Sequence, residues 1–80
     1  MTELTQQIYT MLAELRPEVD FSVSTDYLAD SLLDSTDIVS LVAALDARYG
    51  ISIDGTEILP EHFTHVHAIA GLLGKYGVDP

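Results

Sequence analysis

Apolar residues at Leu4, Ile8, Met11, Leu12 and Leu15 recur three or four positions apart, which places them along one side of a helix. Thr2 or Thr5 can cap its start, and Pro17, with no N–H to give, makes a natural stop near Arg16. The clearest pattern is Ile38, Leu41, Val42, Leu45 and Tyr49, one stripe that Val39 widens. Asp34 can accept a hydrogen bond from the backbone N–H two or three residues on. Asp37 falls in the first turn and Arg48 in the last, where each charge opposes the helix dipole, and Gly50 ends the segment. A last helix is carried by Val66, Ile69, Leu72, Leu73 and Tyr76, with Thr64 or His65 near its start and Gly71 and Gly74 softening its end. A short helix fits around Thr56 to Leu59, between Gly55 and Pro60.

The segment from Glu18 to Leu33 is long for a connection between helices. It mixes Phe21, Val23, Tyr27 and Leu28 with Ser22, Ser24, Thr25 and Asp26, the composition of an ordered loop pinned by its apolar side chains. Phe21 to Ser24 and Ile51 to Asp54 also alternate with period two and could be strands, but two short strands make a poor sheet. The expected fold is therefore all-α: a four-helix bundle of three main helices and one short one, with a long first loop, in a single domain over residues 1–80.

Composition narrows the function. Eighty residues leave little room for a deep catalytic cleft. Thirteen acidic residues against Arg16, Arg48 and Lys75 give a formal net charge of −10, which repels nucleic acid and anionic membrane and steers the chain toward basic patches on partners. A hydrophobic content of 48% argues against the disorder such acidity can bring. No apolar run approaches the roughly 18 residues of a spanning helix. Met1 is followed by Thr2 and Glu3 rather than by basic residues and an apolar core, so the expectation is a cytoplasmic monomer without stable membrane insertion. With no cysteine, neither disulfide nor thiolate metal site supports the fold.

The candidate chemistry centres on Ser35, at the start of the second helix. The nearest basic residues in sequence are Arg16 and Arg48, and a serine nucleophile needs a base beside it to act alone. Local sequence thus suggests a hydroxyl that another enzyme modifies, although an Asp-Ser pair ahead of a helix can equally be a cap. A Ser-His-Asp hydrolase lacks the Gly-rich turn that would supply an oxyanion hole. His62, His65 and His67 do not have the i, i+4 spacing of a zinc helix and read as surface and cap residues, and no segment has the order of an EF-hand loop, so no metal is expected.

The run from Asp34 to Ile53, Asp34-Ser35-Thr36-Asp37-Ile38-Val39-Ser40-Leu41 onward, resembles the attachment motif and second helix of acyl carrier proteins. Leu59 to Val66, with Ala68 and Ile69, is similar to that family's third-helix exit and fourth-helix entry, so the resemblance spans nearly the whole chain. Many members have Leu or Met where this chain has Thr36, and often a glycine where it has Ser31 or Leu32. Ser40 and Ala47 stand where Glu is frequent. The Leu32-Leu33-Asp34-Ser35 form is closer to D-alanyl carriers and freestanding secondary-metabolism carriers than to the fatty-acid synthase type.

The resemblance implies a non-enzymatic carrier whose Ser35, flanked by Asp34 and Thr36, bears a 4′-phosphopantetheine arm taken from coenzyme A. A phosphopantetheinyl transferase would load the arm. Enzymes that load and transfer acyl groups would then dock through basic patches against Asp34, Asp37 and Asp46, with Ile38, Val39 and Ile58 as apolar contacts. A cargo could fold back between the helices, with Ala43, Ala44 and Ala47 leaving one side of the second helix lightly packed. Two alternatives accompany this expectation: an amino-acyl or aryl carrier serving an adenylating enzyme, and, from another class, an unmodified acidic helical adaptor.

Overall fold

The computed structural model describes residues 3–79, so Thr2, one of the two expected caps of the first helix, lies outside the described residues. The described chain forms α1 (Glu3–Leu15), α2 (Ser35–Tyr49) and α3 (Val66–Gly74), with short 3₁₀ turns at Phe21–Val23, Gly55–Glu57 and Pro60–Phe63. It is all-helical. Among the described residues there is no strand: Phe21–Val23 is a 3₁₀ turn, and residues 51–54 are irregular.

The three apolar stripes meet in one core. Leu4, Ile8, Met11 and Leu12 of α1 pack with Ile38, Leu41, Val42 and Leu45 of α2 and with Val66, Ile69, Leu72 and Leu73 of α3. Helix α1 contacts both of the others. Each such side chain contributes on the order of 1.5–3 kcal/mol by leaving water, and this burial outweighs the modest helix propensities of Ile, Val and Gly. Thr5 lies inside α1 and is buried, so it does not cap the helix. Helix α1 stops at Leu15 ahead of Pro17, and α2 stops at Gly50, whose φ of 64° turns the chain so that the Ile51 N–H as well as its own reaches the Asp46 carbonyl. His65 caps α3, its Nδ1 accepting from the Ala68 N–H at 3.2 Å.

The long first loop is held at Tyr27. Its N–H donates to the Thr64 carbonyl at 2.6 Å, and its own carbonyl accepts from Leu32 at 2.7 Å and Leu33 at 3.2 Å. Its ring is fully buried edge-on to Phe21, with centroids 5.0 Å apart. Leu28 packs partly against the core, whereas Val23 is 79% exposed and pins nothing. Asp20 accepts from the Ser22 N–H and folds residues 21–23 into a tight turn, which sends Phe21 inward and Val23 outward.

No continuous helix covers Thr56 to Leu59. Asp54 caps Thr56 and closes a single turn, and Leu59 is then extended (φ −111°, ψ 146°) because the ring of Pro60 disfavours helical geometry in the residue before it. Pro60 instead opens the next turn, as the first residue of Pro60–Phe63.

Candidate functional site

The start of α2 is built by three charged side chains. Asp34 is the N-cap: it is extended, and its Oδ1 accepts the Asp37 N–H at 2.9 Å. Asp37 returns the bond, its Oδ2 accepting the Asp34 N–H at 3.1 Å, so each carboxylate satisfies a backbone donor that the helix leaves open. Arg16, the first residue past α1, donates from Nε to both oxygens of Asp37 (3.2 and 3.1 Å) and from Nη2 to Oδ2 at 2.7 Å. The same Nη2 lies 3.7 Å from Asp34 Oδ2, and Nη1 lies 3.4 Å from Glu18. The hydrogen bonds from Arg16 hold the Asp37 carboxyl below the usual aspartate range, with help from the Asp34 N–H and against the opposing pull of burial. Asp37 in turn raises the Arg16 guanidinium above its ordinary value.

Ser35 is the first residue of α2 and is exposed. Asp34 performs the capping, and among the described residues nothing hydrogen-bonds the Ser35 hydroxyl. The N–H groups of Ser35 and Thr36 likewise lack an acceptor, as expected at the first two positions of a helix. Thr36 is exposed beside it, and Val39, one turn on, is 65% exposed.

The structure sorts the expected docking residues into two groups. Asp37 (9% exposed) and Ile38 (6%) are buried, so neither presents a surface to a partner. Asp37 is drawn inward by Arg16 and the cap, and Ile38 by the core stripe. Asp46 is half-buried, its Oδ1 accepting the Ile53 N–H at 3.0 Å and so fastening the segment after α2. Val39 is open, Ile58 is half-buried, and Leu59 is 40% exposed. Ala43, Ala44 and Ala47 face solvent and therefore border no gap inside the bundle. A groove of about 440 Å³ with a largely apolar lining lies between α1, the first loop and the start of α3, with Tyr9, Tyr27, His65 and Val66 among its walls; no residue of α2 lines it.

Much of the loop acidity is also committed. Asp20, Asp26 and Asp54 each accept backbone N–H groups within two or three residues, and Asp30 accepts from the Ser24 hydroxyl. The Ser22 hydroxyl, and after it the Ser22 N–H, hold the Asp20 carboxyl below its ordinary value, and the Thr56 N–H and hydroxyl do the same for Asp54. Glu57 lies 3.4 Å from Lys75 Nζ. His62 Nδ1 meets the Glu57 carbonyl at 2.6 Å, His65 caps α3, and His67 is exposed with its ring 6.0 Å from that of His65. Among the described residues no three His, Cys, Asp or Glu side chains converge as a metal site would require. Nor is any helix among them long and apolar enough to cross a membrane.

Arg16 is the site residue that sequence spacing missed. It precedes Ser35 by a whole loop, and only the antiparallel packing of α1 on α2 brings it to the start of the helix. The available signal was composition: three basic residues stand among thirteen acidic ones, and Arg16 follows directly on a helix. Comparison with protein-family models, with curated proteins and with solved structures finds no match to this chain.

Proposed function

We propose that this chain is a freestanding acyl carrier protein, modified at Ser35 by 4′-phosphopantetheine and carrying an acyl cargo as a thioester on the thiol of that arm. The observation that carries this function is the division of labour at α2: Asp34 and Asp37 cap the helix, which leaves the Ser35 hydroxyl exposed and unengaged. A serine retained only to cap would have the bond that Asp34 makes. In loading, Ser35 Oγ bonds to the β-phosphorus of coenzyme A, the pyrophosphate P–O bond breaks, and adenosine 3′,5′-bisphosphate leaves. The transferase takes the hydroxyl proton and supplies Mg²⁺.

The residues present fit a phosphodiester at this point. Free N–H groups of Ser35 and Thr36, together with the positive end of the helix dipole, favour an anion there. The charge of Asp37, which would repel it, is paired with Arg16. The three α-helices, with the turns from Gly55 to Phe63 in the place of a short third helix, are compatible with a carrier-type four-helix bundle. Val39 and Leu59 offer exposed apolar side chains for partner enzymes.

The test is the intact mass of the parent and of Ser35→Ala after incubation with coenzyme A, Mg²⁺ and a broad-specificity transferase. The parent should gain one phosphopantetheine and Ser35→Ala none, while the two melt within about 0.5 kcal/mol of each other because the replaced side chain bonds nothing. An unmodified parent, under conditions that load a control carrier, would refute the function. Equal gain on Ser35→Ala would refute the site.

A further inference from the structure

Helix α2 begins with two aspartates three residues apart, in a chain of net charge −10, and any reaction that brings a polyanion to Ser35 must overcome their field. The packing supplies a remedy from another element. Arg16, just past the end of α1, sets its guanidinium edge-on to Asp37, bonded through Nε and Nη2, and 3.7 Å from Asp34. Of the three basic residues, Lys75 is engaged with Glu57, and Arg48 sits at the opposite end of α2. Arg16 is therefore the cation that the fold delivers to the first turn.

We propose that Arg16 is a positioning residue of the modification site: it neutralises the Asp37 and Asp34 carboxylates, so that the first turn of α2 can receive the pyrophosphate of coenzyme A at Ser35. This rests on the carrier function proposed above. Arg16 does not touch the hydroxyl; it acts through the two carboxylates. Its fork holds both oxygens of Asp37, whose Oδ2 also accepts the Asp34 N–H. Without the guanidinium, Asp37 keeps its bond to the Asp34 N–H, but two uncompensated negative charges then flank the attacking oxygen. The repulsion acts after docking, as the phosphorus approaches the hydroxyl; a unit charge a few ångströms away at a protein surface changes such a step by roughly tenfold, and the effect falls as ions screen it.

The experiment measures transferase kcat/KM for the carrier, at low and at high salt, for the parent, Arg16→Gln and the double variant Arg16→Gln with Asp37→Asn, all held well below their melting temperatures. Arg16→Gln should be loaded roughly tenfold more slowly at low salt, with the deficit shrinking at high salt. The double variant removes the charge that Arg16 offsets and should recover most of the rate, although it has lost the ion pair altogether. A deficit caused only by loosened structure would be indifferent to salt and would deepen in the double variant. Arg16→Gln loaded at the parental rate, or a double variant no faster than the single one, would overturn the role of Arg16 and leave Ser35 as the attachment point. A parent that is not loaded at all would overturn both.

Discussion

Asp37→Ala tests the architecture at the start of α2. The substitution removes the carboxylate that accepts from Arg16 Nε and Nη2 and from the Asp34 N–H, at a position where the residue is 9% exposed. Hydrogen bonds to a charged group contribute about 1.5–3 kcal/mol and a helix cap about 1 kcal/mol. Three circumstances lessen the loss. Arg16 keeps Glu18 and Asp34 within reach, the Asp34 side chain still caps the N–H of the new alanine, and one negative charge leaves a chain of net −10. The expected cost is about 2 kcal/mol, a large share of the 5–15 kcal/mol typical of a small domain, with a melting temperature lower by roughly 10 °C.

The assay is thermal unfolding by circular dichroism across pH, with Glu14→Ala as a control that removes the same charge from an exposed position of α1. Because the folded pKa of Asp37 is depressed, its contribution is complete above the unfolded value of about 3.9 and is lost as pH falls through the folded pKa. The gap between parent and Asp37→Ala should thus be full at pH 7 and at pH 5 and should close as the medium becomes more acid than about pH 4. Glu14→Ala should stay within about 0.5 kcal/mol of the parent throughout. A gap at pH 7 no larger than that of the control would refute the reasoning. A gap that persisted undiminished in strong acid would assign the effect to packing rather than to the carboxylate.

Two further substitutions probe features that the fold tolerates at a cost. Ser31 is the one non-glycine residue with positive φ (59°) among those described, so Ser31→Gly should relieve left-handed strain of about 1–2 kcal/mol against a glycine entropy cost of about 0.5–1 kcal/mol; a rise in melting temperature of a few degrees is expected, and a fall would refute the assignment. Tyr27 buries a hydroxyl that finds neither Tyr9 nor the Val66 backbone in hydrogen-bonding geometry, so Tyr27→Phe should leave stability at pH 7 unchanged or raised by up to about 1 kcal/mol. Burial, with Tyr9 adding to it, pushes the Tyr27 phenol up to about 12. Its neutral form therefore contributes stability that is present below an unfolded value of about 10 and lost as pH rises through about 12. Alkaline melts should show the parent losing more than Tyr27→Phe over that window; identical alkaline profiles would place the phenol in contact with solvent.

The sequence was most legible where one local pattern decides one local outcome. The stripe from Ile38 to Tyr49, the Asp34 cap and the Gly50 stop each depend on neighbours within a few residues, and each stands where the pattern placed it. The start of α3 was legible for the same reason, but its end was not: the helix stops at Gly74, and Tyr76, which the stripe includes, lies in the tighter turn beyond, where the glycines weaken the helix. Thr56 to Leu59 was less so, because a helical composition there meets Pro60, and the restraint that Pro60 imposes on Leu59 outweighs propensity. Val23 shows another limit: apolar character alone does not say whether a loop side chain faces in, and here a 3₁₀ turn capped by Asp20 points it out.

At the candidate site, the residue types were legible and their roles were not. An Asp-x-x-Asp spacing at a helix start is compatible with an open acidic face or with a closed cap, and sequence cannot choose between them without knowing where Arg16 lies. The fold puts Arg16 against Asp37, and that contact changes the role of each neighbour. Asp37 turns inward and Asp34 takes the cap, so Ser35 is left with nothing to bond and Thr36 and Val39 become the outward surface. The apparent redundancy of four polar residues in a row, Asp34 to Asp37, is thus a separation of tasks: two acids and a distant arginine hold the helix start, and the Ser35 hydroxyl between the acids is left unbonded. A partner that recognises this site would meet Thr36, Val39 and the exposed carboxylate of Asp34, whereas Asp37 acts from within, through Arg16 and the cap.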